Sequence, residues 1–272
     1  MPVDTPSLEA ILLLQPSLFI PFSYGFASLV TRLGEAQILL PAMAAVGIWM
    51  AHVGRAGTLA WRWVAATAVA GLLTTVSKVA FIGYGLGYAP LDYAGISGHA
   101  LFSAAILPVL MRVALGRPAG ASARLALGLG VALALLIAVT RVKIGAHSWI
   151  EVLLGFGLGT VASRWVMRDG VWPGLRPSWW LPVGLAIWLA VTAHAAPPSQ
   201  THGMVTRLAL AISGRAQPYT RQEMRRAWRA QQPPPASTGL TQGTGTLGAP
   251  SVPPAAAAPA FREGVKPLLQ EP

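Results

Sequence analysis

The sequence predicts an all-α fold, a polytopic transmembrane helical bundle of about six spans with a disordered C-terminal tail. Three observations carry that prediction. The 272 residues are 54% hydrophobic and 11% charged, where a soluble domain carries about a quarter charged residues. Six apolar stretches, near 36–54, 62–82, 99–116, 125–141, 148–166 and 179–195, approach the roughly 20 residues that a helix needs to cross a hydrocarbon core. Arginines recur in every second connection between those stretches, as the alternation of membrane spans requires.

Taken in order, residues 1–35 form an N-terminal apolar or interfacial segment. Its stretch 8–32 is interrupted by Gln15, Pro16, Pro21 and Ser23, and reads as an interfacial or re-entrant helix rather than a first span. With Asp4 and Glu9 near its start, it lacks the basic opening of a cleavable signal peptide. Residues 36–168 hold five spans and form the core; 169–196 adds a sixth. From 197 to 272 the chain is basic and then rich in Pro and Ala, a composition that cannot bury enough surface to order itself. Cysteine is absent, which excludes disulfides, thiolate metal sites and a cysteine nucleophile. The net charge of +11 is almost wholly arginine, and its place between apolar segments points to membrane topology, not to nucleic acid.

Arg55 and Arg62, then Arg112, Arg117 and Arg124, then Arg164, Arg168 and Arg176 fall in connections that share one face. The positive-inside rule makes that face cytoplasmic. Lys78, Ser97, His99, Arg141 and His147 then gather at the opposite, outer face. Arg207, Arg215, Arg221, Arg225, Arg226 and Arg229 follow the last stretch. Either 179–195 does not fully cross, or these arginines meet anionic headgroups.

Ionisable groups in membrane segments are costly, so those present are functional candidates. Cleavage of a phosphate ester needs fixed charge for the equatorial oxygens, a nucleophile in line and a proton for the leaving oxygen. Lys78 and Arg141 offer the charge, Arg141 through a bidentate fork. Ser97 and Gly98 precede a span, so backbone amides there can face an anion. His147 can be the nucleophile, with Glu151 one turn later receiving its second ring N–H and fixing the tautomer. His99 is left as general acid, then as the base that activates water. Each piece alone has a plainer reading: Ser97 as an N-cap, His147 with Glu151 as an i,i+4 contact, Lys78 and Arg141 as snorkelling residues. Their convergence on one face is what favours chemistry.

At these residues the chain resembles the type 2 phosphatidic-acid phosphatase superfamily, which also includes vanadium-dependent haloperoxidases. That family carries Lys-x6-Arg-Pro, Pro-Ser-Gly-His and Ser-Arg-x5-His-x3-Asp in order. Here the second motif reads Gly95-Ile96-Ser97-Gly98-His99, and the third reads Thr140-Arg141, Val142 to Ala146, then His147 and Glu151. The resemblance covers roughly 36–168. It implies a phosphohistidine on His147, His99 as acid and then base, phosphate contacts from Lys78, Ser97, Gly98 and Arg141, and neither metal nor cofactor in the phosphatases. Gly85 and Leu86 stand where the first motif has Arg-Pro, Ile96 where the second has proline, and Glu151 where the third has aspartate. Lys143 could replace some of the lost charge, though an ordinary interfacial lysine is the plainer reading.

Asp92 reads as a solvated loop carboxylate, Glu35 as a cap for the first span, and His52, His194 and His202 as interfacial residues outside any motif. Gly155, Gly157 and Gly159 suggest close helix packing, and 221–229 either an interfacial helix or a solvated charge run. The expected function is hydrolysis of a lipid-linked phosphate or pyrophosphate at the outer leaflet of a bacterial inner membrane, the site facing the periplasm. The substrate class spans undecaprenyl pyrophosphate, phosphatidic acid and phosphatidylglycerol phosphate. Its partners are then the lipid phosphate and the bilayer, with no nucleic acid and an open oligomeric state. The alternatives are a non-catalytic relative with a decayed phosphate site and a vanadate-dependent oxidoreductase; a transporter is disfavoured because the charges sit at one face, not at the midplane.

Overall fold

The computed structural model describes residues 23–115, 120–168, 179–195, 197 and 199–232, all within one compact unit. The described secondary structure is helical: α1 (Tyr24–Arg32), α2 (Ala36–His52), α3 (Gly57–Tyr84), a 3₁₀ turn (Ala89–Leu91), α4 (Gly98–Leu115), α5 (Ala121–Lys143), α6 (Trp149–Met167), α7 (Trp180–Ala195), α8 (Thr201–Ser213) and α9 (Arg221–Ala230). Five segments are long and apolar enough to cross a membrane: α1 with α2 as one 29-residue stretch, then α3, α4, α5 and α6; α7 is apolar but shorter. The protein is a multi-pass α-helical membrane protein. Its outer girdle presents Ile48, Trp61, Val69, Leu72, Leu125, Leu135, Leu153 and Val161. Such a surface suits hydrocarbon and would aggregate in water.

The bundle is built around α4, which packs on α2, α3, α5, α6 and α7. Most of its apolar side chains are buried, Leu101, Ile106, Leu110 and Val113 among them. A helix apolar all round belongs at the centre. Trp63 of α3 is fully buried there and its indole N–H donates to the Ala105 carbonyl at 3.1 Å. Close approach of α6 depends on Gly155 and Gly159. A Cβ on either would strike the backbone carbonyl of Ser97 or Leu101.

α7 runs antiparallel to α2. Trp180 meets Trp49 edge-on at 6.5 Å, the Trp188 indole donates to the Ile38 carbonyl at 3.0 Å, and Gln37 donates to the Pro197 carbonyl at 2.7 Å. The chain therefore returns to the end of the bundle that holds the starts of α2, α4 and α6. This places the arginines after residue 200 at that end, beside the predicted site.

Two sequence expectations differ from the structure. The segment 199–232, grouped with the disordered tail, forms α8 and α9. Thr220 accepts from the Glu223 N–H at 3.2 Å while Glu223 accepts from the Thr220 N–H at 2.7 Å, a capping box that starts α9. Met224 is then buried with Phe81, Ile82 and Ala209, and this tertiary contact orders a segment whose composition is polar. Of the interfacial stretch 8–32, residues 23–32 are described, and α1 leads into α2 through a three-residue break at 33–35. The Pro/Ala-rich part of the tail lies outside the described residues.

Candidate active site

The site lies where two spans end and two begin. α3 carries Lys78 and stops at Gly85, whose φ of 72° and N–H bond to the Phe81 carbonyl at 2.9 Å make a left-handed cap. The loop that follows is closed by reciprocal Tyr88 and Tyr93 backbone bonds, both 3.0 Å. Gly95 sits at φ 122° against the Lys78 stem. A side chain there would be both strained and in the way of the lysine. α4 begins at Gly98, α5 ends at Lys143 just past Arg141, and a short turn presents His147 before α6.

These elements enclose a cavity of about 570 Å³ lined by Lys78, Gly98, His99, Arg141, His147 and Glu151, with Phe81, Ile82 and Phe102 on its apolar wall. Six of the seven sequence-predicted site residues thus face one space. The seventh, Ser97, is fully buried at its edge: its N–H donates to the Glu151 carbonyl at 3.1 Å and its Oγ has no hydrogen-bond partner. Arg141 donates from Nη1 to Thr31 Oγ1 at 3.2 Å, while its buried Nε is unpartnered. Among the described residues Lys78 makes no hydrogen bond or ion pair. Unspent donors of this kind are what an anion would complete.

Glu151 is fully buried and fully used. Its Oε2 meets His147 Nδ1 at 2.7 Å and accepts from the Ser148 N–H at 3.2 Å; its Oε1 accepts from the Ala94 N–H at 2.6 Å. Glu151, one methylene longer than an aspartate, therefore reaches the imidazole. Burial pushes the His147 imidazole below the usual histidine range; the Glu151 carboxylate pulls it back up, and Lys78 and Arg141 push it down.

Three residues were missed or misread in the sequence. Arg221, from α9, donates through Nη2 to both Glu151 oxygens at 2.9 Å, and through Nη1 to the Asp92 carboxylate and carbonyl, each at 2.6 Å. Asp92 is accordingly no solvated loop carboxylate. It sits at φ 51° and also binds Arg225 at 2.6 and 2.8 Å. Burial pushes its carboxyl up, but the two arginines outweigh that and hold it below the ordinary aspartate range. His202 of α8 lines the cavity with Ser199, Thr201 and Thr206; burial, then Lys78, lowers its imidazole. The signals were present: Thr220-x-x-Glu223 marks a helix start, and Arg221, Arg225 and Arg229 at four-residue spacing share one face.

The other candidates stay outside the cavity lining. Glu35 takes the N-cap position of α2 without a capping bond from its side chain, which instead accepts from Gln37 at 2.6 Å. Lys143 lines a neighbouring groove with Trp149, Arg225 and Trp228. His52 lies at the far end of α2. Among the described residues no cluster of three or more His, Asp or Glu could hold a metal ion.

Fold and site together define a multi-pass membrane protein with a cavity at one end of its bundle that carries cationic side chains beside an apolar wall. The chain is 30% identical over 205 residues to the "Uncharacterized 22.5 kDa protein in cps region" of Klebsiella pneumoniae, a match covering 74% of this chain and 98% of that protein. It belongs to the same family as that Klebsiella protein. No protein-family model matches the chain, and no solved structure matches it.

Proposed function

We propose that this protein is a membrane phosphatase that hydrolyses a lipid-linked phosphate or pyrophosphate through a phosphohistidine on His147. The observation that carries the reading is the 2.7 Å contact of His147 Nδ1 with Glu151 at a cavity walled by Lys78, His99 and Arg141. The carboxylate keeps the proton on Nδ1 and leaves the Nε2 lone pair for attack on phosphorus.

In the first step the Nε2–P bond forms as the bond from phosphorus to the leaving oxygen breaks. His99 donates a proton to that oxygen. Lys78, Arg141 and the first-turn amides of α4 hold the equatorial oxygens as charge builds. In the second step His99 takes a proton from water, whose oxygen attacks phosphorus. The P–N bond breaks, and inorganic phosphate leaves. The cavity lies at span ends, where a lipid phosphate sits at headgroup depth. Undecaprenyl pyrophosphate, phosphatidic acid and phosphatidylglycerol phosphate all suit it. Arginine in the short connections at the opposite end supports a site facing the periplasm of an inner membrane.

Phosphate release from a panel of these lipids by the purified protein in detergent tests the reading. His147→Ala should lower release by roughly a thousandfold or more, as loss of a nucleophile does. Equal release by wild type and His147→Ala would refute it. Phosphate binding without turnover would favour the non-catalytic alternative.

A further inference from the structure

The structure assigns to Arg221 the positioning of His147, exerted through Glu151. The assignment rests on the reading of His147 as the nucleophile, and it deepens that reading.

Glu151 is a flexible side chain carrying a fully buried charge. Such a charge is tolerated only when paired and hydrogen-bonded. Two backbone amides and one imidazole supply three contacts, but none brings a fixed positive charge. Arg221 does so, with one nitrogen bridging both carboxylate oxygens at 2.9 Å. That pins the carboxylate plane, and with it the oxygen that faces His147 Nδ1.

Arg221 is itself held from behind. Asp92 turns both its carbonyl and its carboxylate onto Nη1, and Arg225 clamps the same carboxylate. The chain leading to it is docked on the end of α3. The Tyr219 N–H donates to the Ile82 carbonyl at 2.9 Å, its ring meets Phe81 edge-on at 5.5 Å, and Met224 is buried behind. The four N–H groups on Nη1 and Nη2 face four acceptors, two on Asp92 and two on Glu151. These donors are spent on Asp92 and Glu151 oxygens, so Arg221 acts as a positioning residue and not as a phosphate ligand.

A double-mutant cycle of Arg221→Gln with Glu151→Gln tests this, read in two ways. The first reading is steady-state phosphate release from the best lipid of the panel. Arg221→Gln should lower kcat on the order of tenfold with KM within about twofold, and the double variant should be no slower than Glu151→Gln alone, the signature of coupled residues. Arg221→Lys, which keeps a cation on the carboxylate, should recover part of the rate. The second reading needs no turnover: carbethoxylation of His147 by diethyl pyrocarbonate, followed by peptide mass spectrometry. It should slow in Arg221→Gln and Glu151→Gln alike, and stay at the wild-type rate in Arg226→Gln, an exposed position on the same helix. A raised KM at unchanged kcat, an additive cycle, or unaltered His147 reactivity in Arg221→Gln would each overturn the assignment. A wild type that releases no phosphate would refute the hydrolase reading, while the carbethoxylation cycle would still decide the role of Arg221.

Discussion

On the proposed mechanism His147 faces opposing demands: it must stay uncharged to attack phosphorus, yet it stands beside a carboxylate that favours its charged form. Burial wins, and the imidazole lies below its usual range despite Glu151. The sign follows for catalysis. A free histidine loses its proton near pH 6.5, so the acid limb of kcat/KM assigned to His147 should fall below that value. Glu151→Gln removes the one neighbour that raises the imidazole, so it should move this limb to still lower pH while cutting kcat. Phosphate release by both proteins across pH 4 to 8 checks it; a limb moving upward in Glu151→Gln would mean that the carboxylate does not act on His147. At the same scale, the glycine at position 85, where the resembled motif has arginine, has a physical reason. Gly85 ends α3 in a left-handed turn, a conformation that L side chains rarely adopt, and the Tyr219 ring packs against it.

Between elements, the geometry of the candidate site is a by-product of helix packing. Ser97, Gly98 and His99 open α4, His147 and Glu151 open α6, and the two helices cross where Gly155 touches the Ser97 carbonyl. The Ser97 N–H bond to the Glu151 carbonyl ties the same two starts together. Gly155→Ala should therefore force α6 away from α4, at about 1–3 kcal/mol, the usual cost of overpacking. It should lower the detergent-solubilised melting temperature and phosphate release together. Gly157→Ala, whose added Cβ meets nothing within 4 Å, should change neither. If Gly155→Ala melts with wild type, the close approach is not under strain from a methyl group. The helices α8 and α9 act at this scale too: they line the cavity with His202 and Arg221, so the candidate site has contributors from outside the five long spans.

For the molecule as a whole, the apolar runs were legible because the hydrocarbon core imposes a length. The stretches 62–82 and 148–166 correspond to α3 (Gly57–Tyr84) and α6 (Trp149–Met167), with ends moved by a few residues. The residues at the cavity were legible where motif spacing kept them on adjoining span ends. The pairing of Arg221 with Glu151 was not, because an ion pair between positions 70 apart leaves no periodic trace in a sequence, and hydropathy is blind to a polar helix anchored by one buried methionine. The arginines after residue 200 had seemed to conflict with the positive-inside rule. With α7 antiparallel to α2, they lie at the cavity end, three of them within reach of Asp92, Glu151 or Tyr219. The rule weighs short connections most. The cavity-end connections 85–97 and 144–148 carry no Lys or Arg, whereas 53–56, 116–120 and 168–179 each carry at least one. Because the chain has no cysteine, single-cysteine variants report topology without background. An impermeant maleimide should label Leu86→Cys and Gln217→Cys from outside intact spheroplasts, and Gly54→Cys only after lysis. Labelling of 86 and 217 from opposite sides would break the antiparallel passage of α7. Labelling of both from inside alone would invert the orientation and put the substrate phosphate in the cytoplasmic leaflet.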